Sequence, residues 1–184
     1  GNLAADAQVG PVNNFLHSLF SQVDISLNGT LITSSTNTYP YRAYIEDLLS
    51  YGSESKESQL TAGLFYKDTP GKMGVANSRA AEADRNHGLT KRAEFTNGSR
   101  VVDLMGRLHS DIFFQERYML NEVNTKIRLI RSRDNFCLMS TGQFKVKIMA
   151  ASLFIRKVKV SPSVFLAHAK TLEKSLAKYP IRRV

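Results

Sequence analysis

Histidines are the side chains of this protein best suited to bind a metal ion or to transfer a proton at neutral pH. The chain contains four of them, at His17, His87, His109 and His168. Histidine ligands of metal sites commonly lie a few residues apart, whereas long stretches of chain separate these four. The spacing of the histidines therefore predicts no metal site.

Two short motifs contain residue types that occur in catalytic sites. His109-Ser110-Asp111 has the three side chains of a hydrolase triad, but three consecutive residues cannot converge as the members of a triad do. Gly71-Lys72 lacks both the earlier glycine and the following Ser or Thr of a phosphate-binding loop. The sequence therefore predicts no catalytic residue and no cofactor, and we expect a protein that is not an enzyme.

The other groups open to chemical modification have structural interpretations. Cys137 is the single cysteine, so it cannot form a disulfide within the chain, and a reducing compartment fits. Its neighbours at 136, 138 and 139 are apolar, which favours a small buried side chain over a reactive thiol. Asn28-Gly29-Thr30 and Asn97-Gly98-Ser99 match the glycosylation pattern, but Asn-Gly is also typical of tight turns, and we interpret both as turns.

Basic side chains are concentrated towards the C-terminal end of the chain. Residues 1–122 carry 11 Lys and Arg against 14 Asp and Glu, whereas residues 123–184 carry 14 against 2, a net charge of +12. This asymmetry indicates an acidic partner, which could be nucleic acid, an acidic membrane surface or a neighbouring subunit. The alternative is the solvated face of a strand, where every second residue is polar. The candidate contact residues form two clusters: Lys126, Arg128, Arg131 and Arg133, and then Arg156, Lys157 and Lys159.

Composition is that of an ordinary globular domain. The chain has 184 residues, 42% of them hydrophobic, which is enough for one domain with a sizeable core. No stretch approaches the roughly 18–20 apolar residues of a transmembrane helix. The first residues also lack the basic and then apolar pattern of a secretory signal. We therefore expect a protein made inside the cell, without a transmembrane segment.

The clearest structural signals lie between residues 12 and 52. Residues 23–27 alternate between apolar and polar, which predicts a strand with one apolar face. Asn28-Gly29 supplies the positive φ angles of a two-residue hairpin turn. Pro40 suits the first turn of a helix near 40–51. The apolar residues of that helix recur at helical spacing, at Tyr41, Tyr44, Ile45, Leu48 and Leu49.

Strands and loops are predicted for most of the rest of the chain. Strand signals occur at 100–105, 112–114, 125–130, 136–139, 143–148 and 153–160. Residues 1–12 are predicted to be a leader or loop, and residues 52–99 a long loop insertion. Ser161 and Pro162 begin a closing helix near 162–178. Many short strands with two accessory helices predict a mainly β fold, a sandwich or jelly roll.

Long segments spread along the chain carry a resemblance to a known family. They are VNNFLHSLFSQVDISLNG followed by TYPYRAYIEDLLSYG (12–29 and 38–52), GRLHSDIFFQERYMLN (106–121), IRLIRSRDNFCLM (127–139) and LFIRKVKVSPSVFLAHAKTLEKSLAKYPIRR (153–183). In this order they resemble the major capsid proteins of Polinton (Maverick) elements and adintovirus-like viruses. None of the segments is a ligand set or a catalytic set.

The resemblance implies an antiparallel double jelly-roll capsid subunit. Residues 13–161 would be an incomplete first jelly roll, and residues 162–184 the closing helix and the start of a linker to an absent second one. It implies a structural protein of the virion that forms homotrimeric, pseudo-hexagonal capsomers of an icosahedral shell. Penton or minor capsid proteins and packaged DNA would be further partners. The alternative that the residues leave open is a basic β domain that binds nucleic acid nonspecifically.

Overall fold

The chain folds into short strands, helices and a large share of irregular backbone. The structure is a computed structural model, and it describes residues 2–4 and 6–181. The strands and helices, in chain order, are β1 (Val9–Pro11), α1 (Phe15–Ser18), β2 (Phe20–Leu27), β3 (Thr30–Leu31), α2 (Tyr39–Ser50), α3 (Ser53–Glu57), α4 (His87–Thr96), β4 (Thr125–Arg131), α5 (Asp134–Cys137), β5 (Leu138–Ser140) and α6 (Pro162–Leu172). Four 3-10 turns, at Gln59–Gly63, Glu82–Asp84, Asn97–Ser99 and Asp111–Phe113, lie between them.

The predicted mainly β jelly-roll sandwich is wrong. The structure is 13% strand and 34% helical, and its strands form two small antiparallel sheets, β1-β5 and β3-β2-β4. The segments 100–105, 143–148 and 153–160, predicted as strands, have irregular backbone. An alternating sequence forms a strand only where a second strand supplies partners for its N–H and C=O groups. In the described part of the chain no strand forms a hydrogen-bonded ladder with these segments, so alternation alone does not make them strands.

The hairpin near residue 28 is confirmed. Asn28 and Gly29 both have positive φ, at 47° and 83°, as the two-residue turn between β2 and β3 requires. On its other edge, β2 pairs antiparallel with β4, which places Ile25 opposite Ile127. The strand predicted at 125–130 is therefore also confirmed, and it forms the largest strand pairing of the described residues.

Two small apolar clusters form the core. The first contains Phe15, Leu19, Leu64 and Cys137, and the second contains Val23, Ile25, Tyr39 and Ile112. Cys137 is fully buried, as its apolar neighbours predict. Leu64 belongs to the segment 52–99, which also includes α3 and α4, so this segment is part of the packed structure and not only a surface loop.

Helix α2 begins as predicted, and several of its large apolar residues are exposed. Proline occupies its first turn, and the helix ends at Ser50, before an extended Tyr51. Three of the apolar residues that recur at helical spacing, Tyr41, Ile45 and Leu49, are 58%, 53% and 78% exposed. The face that lies against the protein instead contains Tyr39, Pro40, Ala43 and Asp47.

Residues 149–178 form an extended C-terminal arm. Every residue of this arm is exposed except Val160, which is half-buried. The predicted closing helix begins after Ser161 as expected, but α6 ends at Leu172 and buries none of its residues. The chain returns to the body at Tyr179, whose hydroxyl donates a hydrogen bond to the carbonyl of Tyr118 at 3.1 Å. Residues 182–184 of the predicted linker lie outside the described residues.

Among the described residues, no helix has both the length and the apolar character needed to cross a bilayer.

Candidate functional site

A cluster of buried polar side chains lies where α1, α2 and the chain before Asp111 meet. Its centre consists of His17, Asp47 and His109, which are 6%, 2% and 5% exposed. One ligand-type atom from each residue lies within 4.8 Å of those of the other two. The two imidazole rings pack edge to face with centroids 4.6 Å apart, and His109 Nε2 lies 3.4 Å from Asp47 Oδ1. Imidazole and carboxylate groups together are typical ligands of divalent transition metals.

Each of these three side chains is also held by a second polar group. Glu46 Oε2 lies 2.7 Å from His109 Nδ1, Asn14 Nδ2 donates to Asp47 Oδ2 at 2.7 Å, and Tyr39 Oη lies 3.0 Å from His17 Nδ1. These contacts leave Nε2 of His109 and Oδ1 of Asp47 facing each other. They also fix the orientation of both rings and of the carboxylate.

Burial sets the protonation of the cluster. It lowers the pKa of His17 to about 3, with the nearby His109 as a second cause, so His17 is a neutral imidazole at physiological pH. Burial raises the pKa of Asp47, against the opposing effects of His109 and of the Asn14 hydrogen bond. Burial also raises the pKa of Tyr39, whose hydroxyl stays protonated. The cluster is therefore a desolvated site that contains a neutral imidazole and a carboxyl group whose charged form is disfavoured unless a cation is present.

The prediction from histidine spacing missed this cluster. The residues between His17 and His109 fold back so that α1 packs against α2, and this packing brings His17 to Asp47. The sequence did contain one signal, because Tyr39, Ala43 and Asp47 are four residues apart and therefore share one helix face. His87 and His168 lie elsewhere, on α4 and α6.

The motif His109-Ser110-Asp111 does not converge on one point. The His109 ring contacts Glu46 and Asp47, whereas the Asp111 carboxylate pairs with Arg42. Arg42 also pairs with Glu46 at 2.6 Å. Asp111 therefore belongs to an ion-pair network at the edge of the cluster and does not orient His109.

The two basic clusters lie on different parts of the structure. The first cluster is exposed on and just after β4 and contains Lys126, Arg128, Arg131 and Arg133. The second is exposed in the C-terminal arm and contains Arg156, Lys157 and Lys159. Arg128 lies 3.4 Å from Asp24, and Arg131 lies 2.7 Å from Asp134, so these two form surface ion pairs. Within residues 2–4 and 6–181, the other five have no carboxylate within ion-pair distance. They remain available to an acidic partner.

The chain is similar in sequence to a nematode protein. Over 147 residues the chain is 28% identical to an uncharacterized protein of Caenorhabditis elegans, an alignment that covers 78% of this chain and 32% of that protein. The chain therefore spans about a third of the length of that relative. No protein-family model and no solved structure matches the chain.

Proposed function

We propose that this protein is a structural subunit that self-associates, as the capsid proteins that its sequence resembles do, and that it forms trimers in a virion-like shell. The observation that carries the proposal is the C-terminal arm, residues 149–178. Its large apolar side chains lie in solvent, at 53% exposure for Leu153, 82% for Phe154, 66% for Ile155 and 84% for Leu176. Exposed apolar surface on this scale marks an interaction site.

The energetic argument favours coverage of the arm by a protein. Burying a Leu, Ile or Phe side chain contributes roughly 1.5–3 kcal/mol, so several such residues together offset much of the entropic cost of association. The body of the same chain supplies a matching surface, because Tyr41, Ile45 and Leu49 form an exposed apolar stripe along α2. The charges are also complementary, since residues 1–122 have a net charge of −3 and the arm is basic. We infer that the arm of one copy docks on the body of the next.

The test is the oligomeric state of the purified chain. Sedimentation velocity at micromolar concentration should show trimers or larger assemblies, and negative-stain images should show regular particles. The triple variant Phe154→Ser, Ile155→Ser, Leu176→Ser should sediment as a monomer with an unchanged far-UV circular dichroism spectrum. Met73→Ser removes a side chain of similar exposure, 61%, outside the arm, and should assemble normally. A wild-type chain that stays monomeric at these concentrations refutes the proposal.

Nonspecific nucleic-acid binding is the second candidate function, and the unpaired basic residues favour it. Lys126, Arg133 and the three basic residues 156, 157 and 159 are exposed without carboxylate partners among the described residues. Such a surface would bind DNA or RNA in a salt-dependent way. If nucleic-acid binding is the main function, monomers will shift on a nucleic-acid gel, and Arg156→Gln with Lys157→Gln and Lys159→Gln will abolish that shift.

A further inference from the structure

We propose that His17, Asp47 and His109 bind one divalent transition-metal ion, for which Zn²⁺ is the best fit, and that this ion ties α1, α2 and the chain before Asp111 together. The inference is independent of the proposed assembly. It rests on the distances between the three side chains, on their second contacts and on their burial.

The distances match the size of a metal site. Zinc binds imidazole nitrogen and carboxylate oxygen at about 2.0–2.2 Å, so two ligands at a tetrahedral angle lie about 3.4 Å apart. His109 Nε2 and Asp47 Oδ1 are 3.4 Å apart. The ligand-type atoms of all three residues lie within 4.8 Å of one another, so a side-chain movement of about 1 Å completes the set. Three protein ligands leave a fourth position for water.

The second contacts have the form that metal ligands need. A metal-bound histidine almost always donates its other ring N–H to a carboxylate, a backbone carbonyl or water, which fixes the tautomer and the ring orientation. Glu46 lies in this position beside His109 Nδ1, and the Tyr39 hydroxyl oxygen would accept the same bond from His17 Nδ1. Asn14 holds the second oxygen of Asp47 and leaves the first oxygen for the ion.

The burial of Asp47 favours a bound metal ion in the cluster. A carboxylate as buried as Asp47 is costly unless a positive charge compensates it. A divalent ion would compensate this charge. A cleft lined by Thr38, Arg42 and His109 opens beside the cluster and provides a route for the ion.

Metal titration of the full chain tests the proposal. After treatment with a chelator, the protein should bind one Zn²⁺ per chain by calorimetry, and Co²⁺ should give the visible absorption of a low-coordinate site. His109→Gln and Asp47→Asn should abolish stoichiometric binding. Glu46→Gln removes only a second contact, and it should weaken binding by about 10- to 100-fold. Zinc should raise the melting temperature of the wild type but not that of Asp47→Asn.

The matched control is His168→Gln, because His168 is an exposed histidine on α6, far from the cluster in the chain. This variant should bind Zn²⁺ like the wild type. Circular dichroism establishes whether each variant is folded. If the ligand variants unfold, the Zn²⁺ affinity of Glu46→Gln is compared with that of the wild type instead. The proposal is overturned if the folded wild type binds no Zn²⁺ at micromolar concentration, if folded His109→Gln binds it as tightly as the wild type, or if His168→Gln loses it equally.

Discussion

Arg92 is the side chain whose removal should damage the fold most clearly. It lies on α4 and is fully buried, with none of its surface exposed. Its Nε donates to the carbonyl of Pro11 at 2.7 Å, Nη1 donates to the carbonyl of Tyr66, and Nη2 pairs with Asp68 Oδ1 at 2.7 Å. One guanidinium therefore joins β1, the segment after Leu64 and α4. The substitution Arg92→Met keeps an unbranched apolar stem, shorter than that of Arg, and removes every donor.

The expected cost follows from what the substitution leaves behind. Asp68 is a carboxylate whose side chain is only 17% exposed, and it would lose its cation. Breaking a buried ion pair by removing one partner costs about 3–5 kcal/mol, because the other charge stays uncompensated. Two carbonyl oxygens also lose donors, which places the expected loss towards the upper end of that range. For a domain of this size, such a loss is a large fraction of the total free energy of unfolding.

Urea denaturation followed by circular dichroism measures this loss. The control is Lys91→Met on the same helix, because Lys91 is exposed and pairs with Glu94 on the surface, so its midpoint should stay close to that of the wild type. The double variant Arg92→Met, Asp68→Asn should recover part of the stability, since the uncompensated charge is gone. A loss below about 1 kcal/mol for Arg92→Met would refute the reasoning, because it would mean that water reaches the site and replaces the guanidinium.

Three further predictions concern other positions. Burial raises the pKa of Cys137 from 9.0 to about 11, so the thiol should resist iodoacetamide at pH 8 until urea unfolds the chain. The contribution of this group to stability is complete below pH 9 and is lost as the pH rises through about 11. Melting temperatures measured over a series of pH values test this loss. Gly88→Ala should be strongly destabilising in urea, because a Cβ there would overlap the backbone carbonyl oxygen of Lys67. Leu49→Gln should leave the urea midpoint unchanged, because Leu49 is 78% exposed, and a large loss would mean that α2 buries the face that carries Leu49.

Short sequence motifs correctly predicted the turns and helix starts, whose conformation depends on residues adjacent in the chain. Asn28-Gly29 determines its turn through backbone conformation alone, and Pro40 and Ser161 mark helix starts for the same kind of reason. The strands at 23–27 and 125–130 were also predicted, because their alternation coincides with a real partner strand. Segments 143–148 and 153–160 have the same alternation without a partner among the described residues. Whether a partner exists is a property of the whole fold, and a short window of sequence does not contain it.

The candidate metal cluster could not be predicted, because its residues meet only through packing. Distances between histidines along the chain say nothing about a site whose members come from α1, α2 and the chain before Asp111. Helix α2 also departs from the general rule that the apolar stripe of a helix faces the core. Here Tyr39 and Asp47 face inward because they complete a hydrogen-bonded network with Asn14 and His17.

Helix α2 connects the two proposals physically. Its inner face carries Asp47, and its outer face carries Tyr41, Ile45 and Leu49, so one rigid element would bind an ion on one side and a second copy on the other. A metal ion that fixes α2 against α1 would reduce the conformational entropy that the outer face loses when it docks. Zinc should then shift the sedimentation of the wild type towards larger species at a fixed protein concentration. Asp47→Asn should assemble more weakly than the wild type only when zinc is present, and equal assembly of both would show that the two faces of α2 act independently.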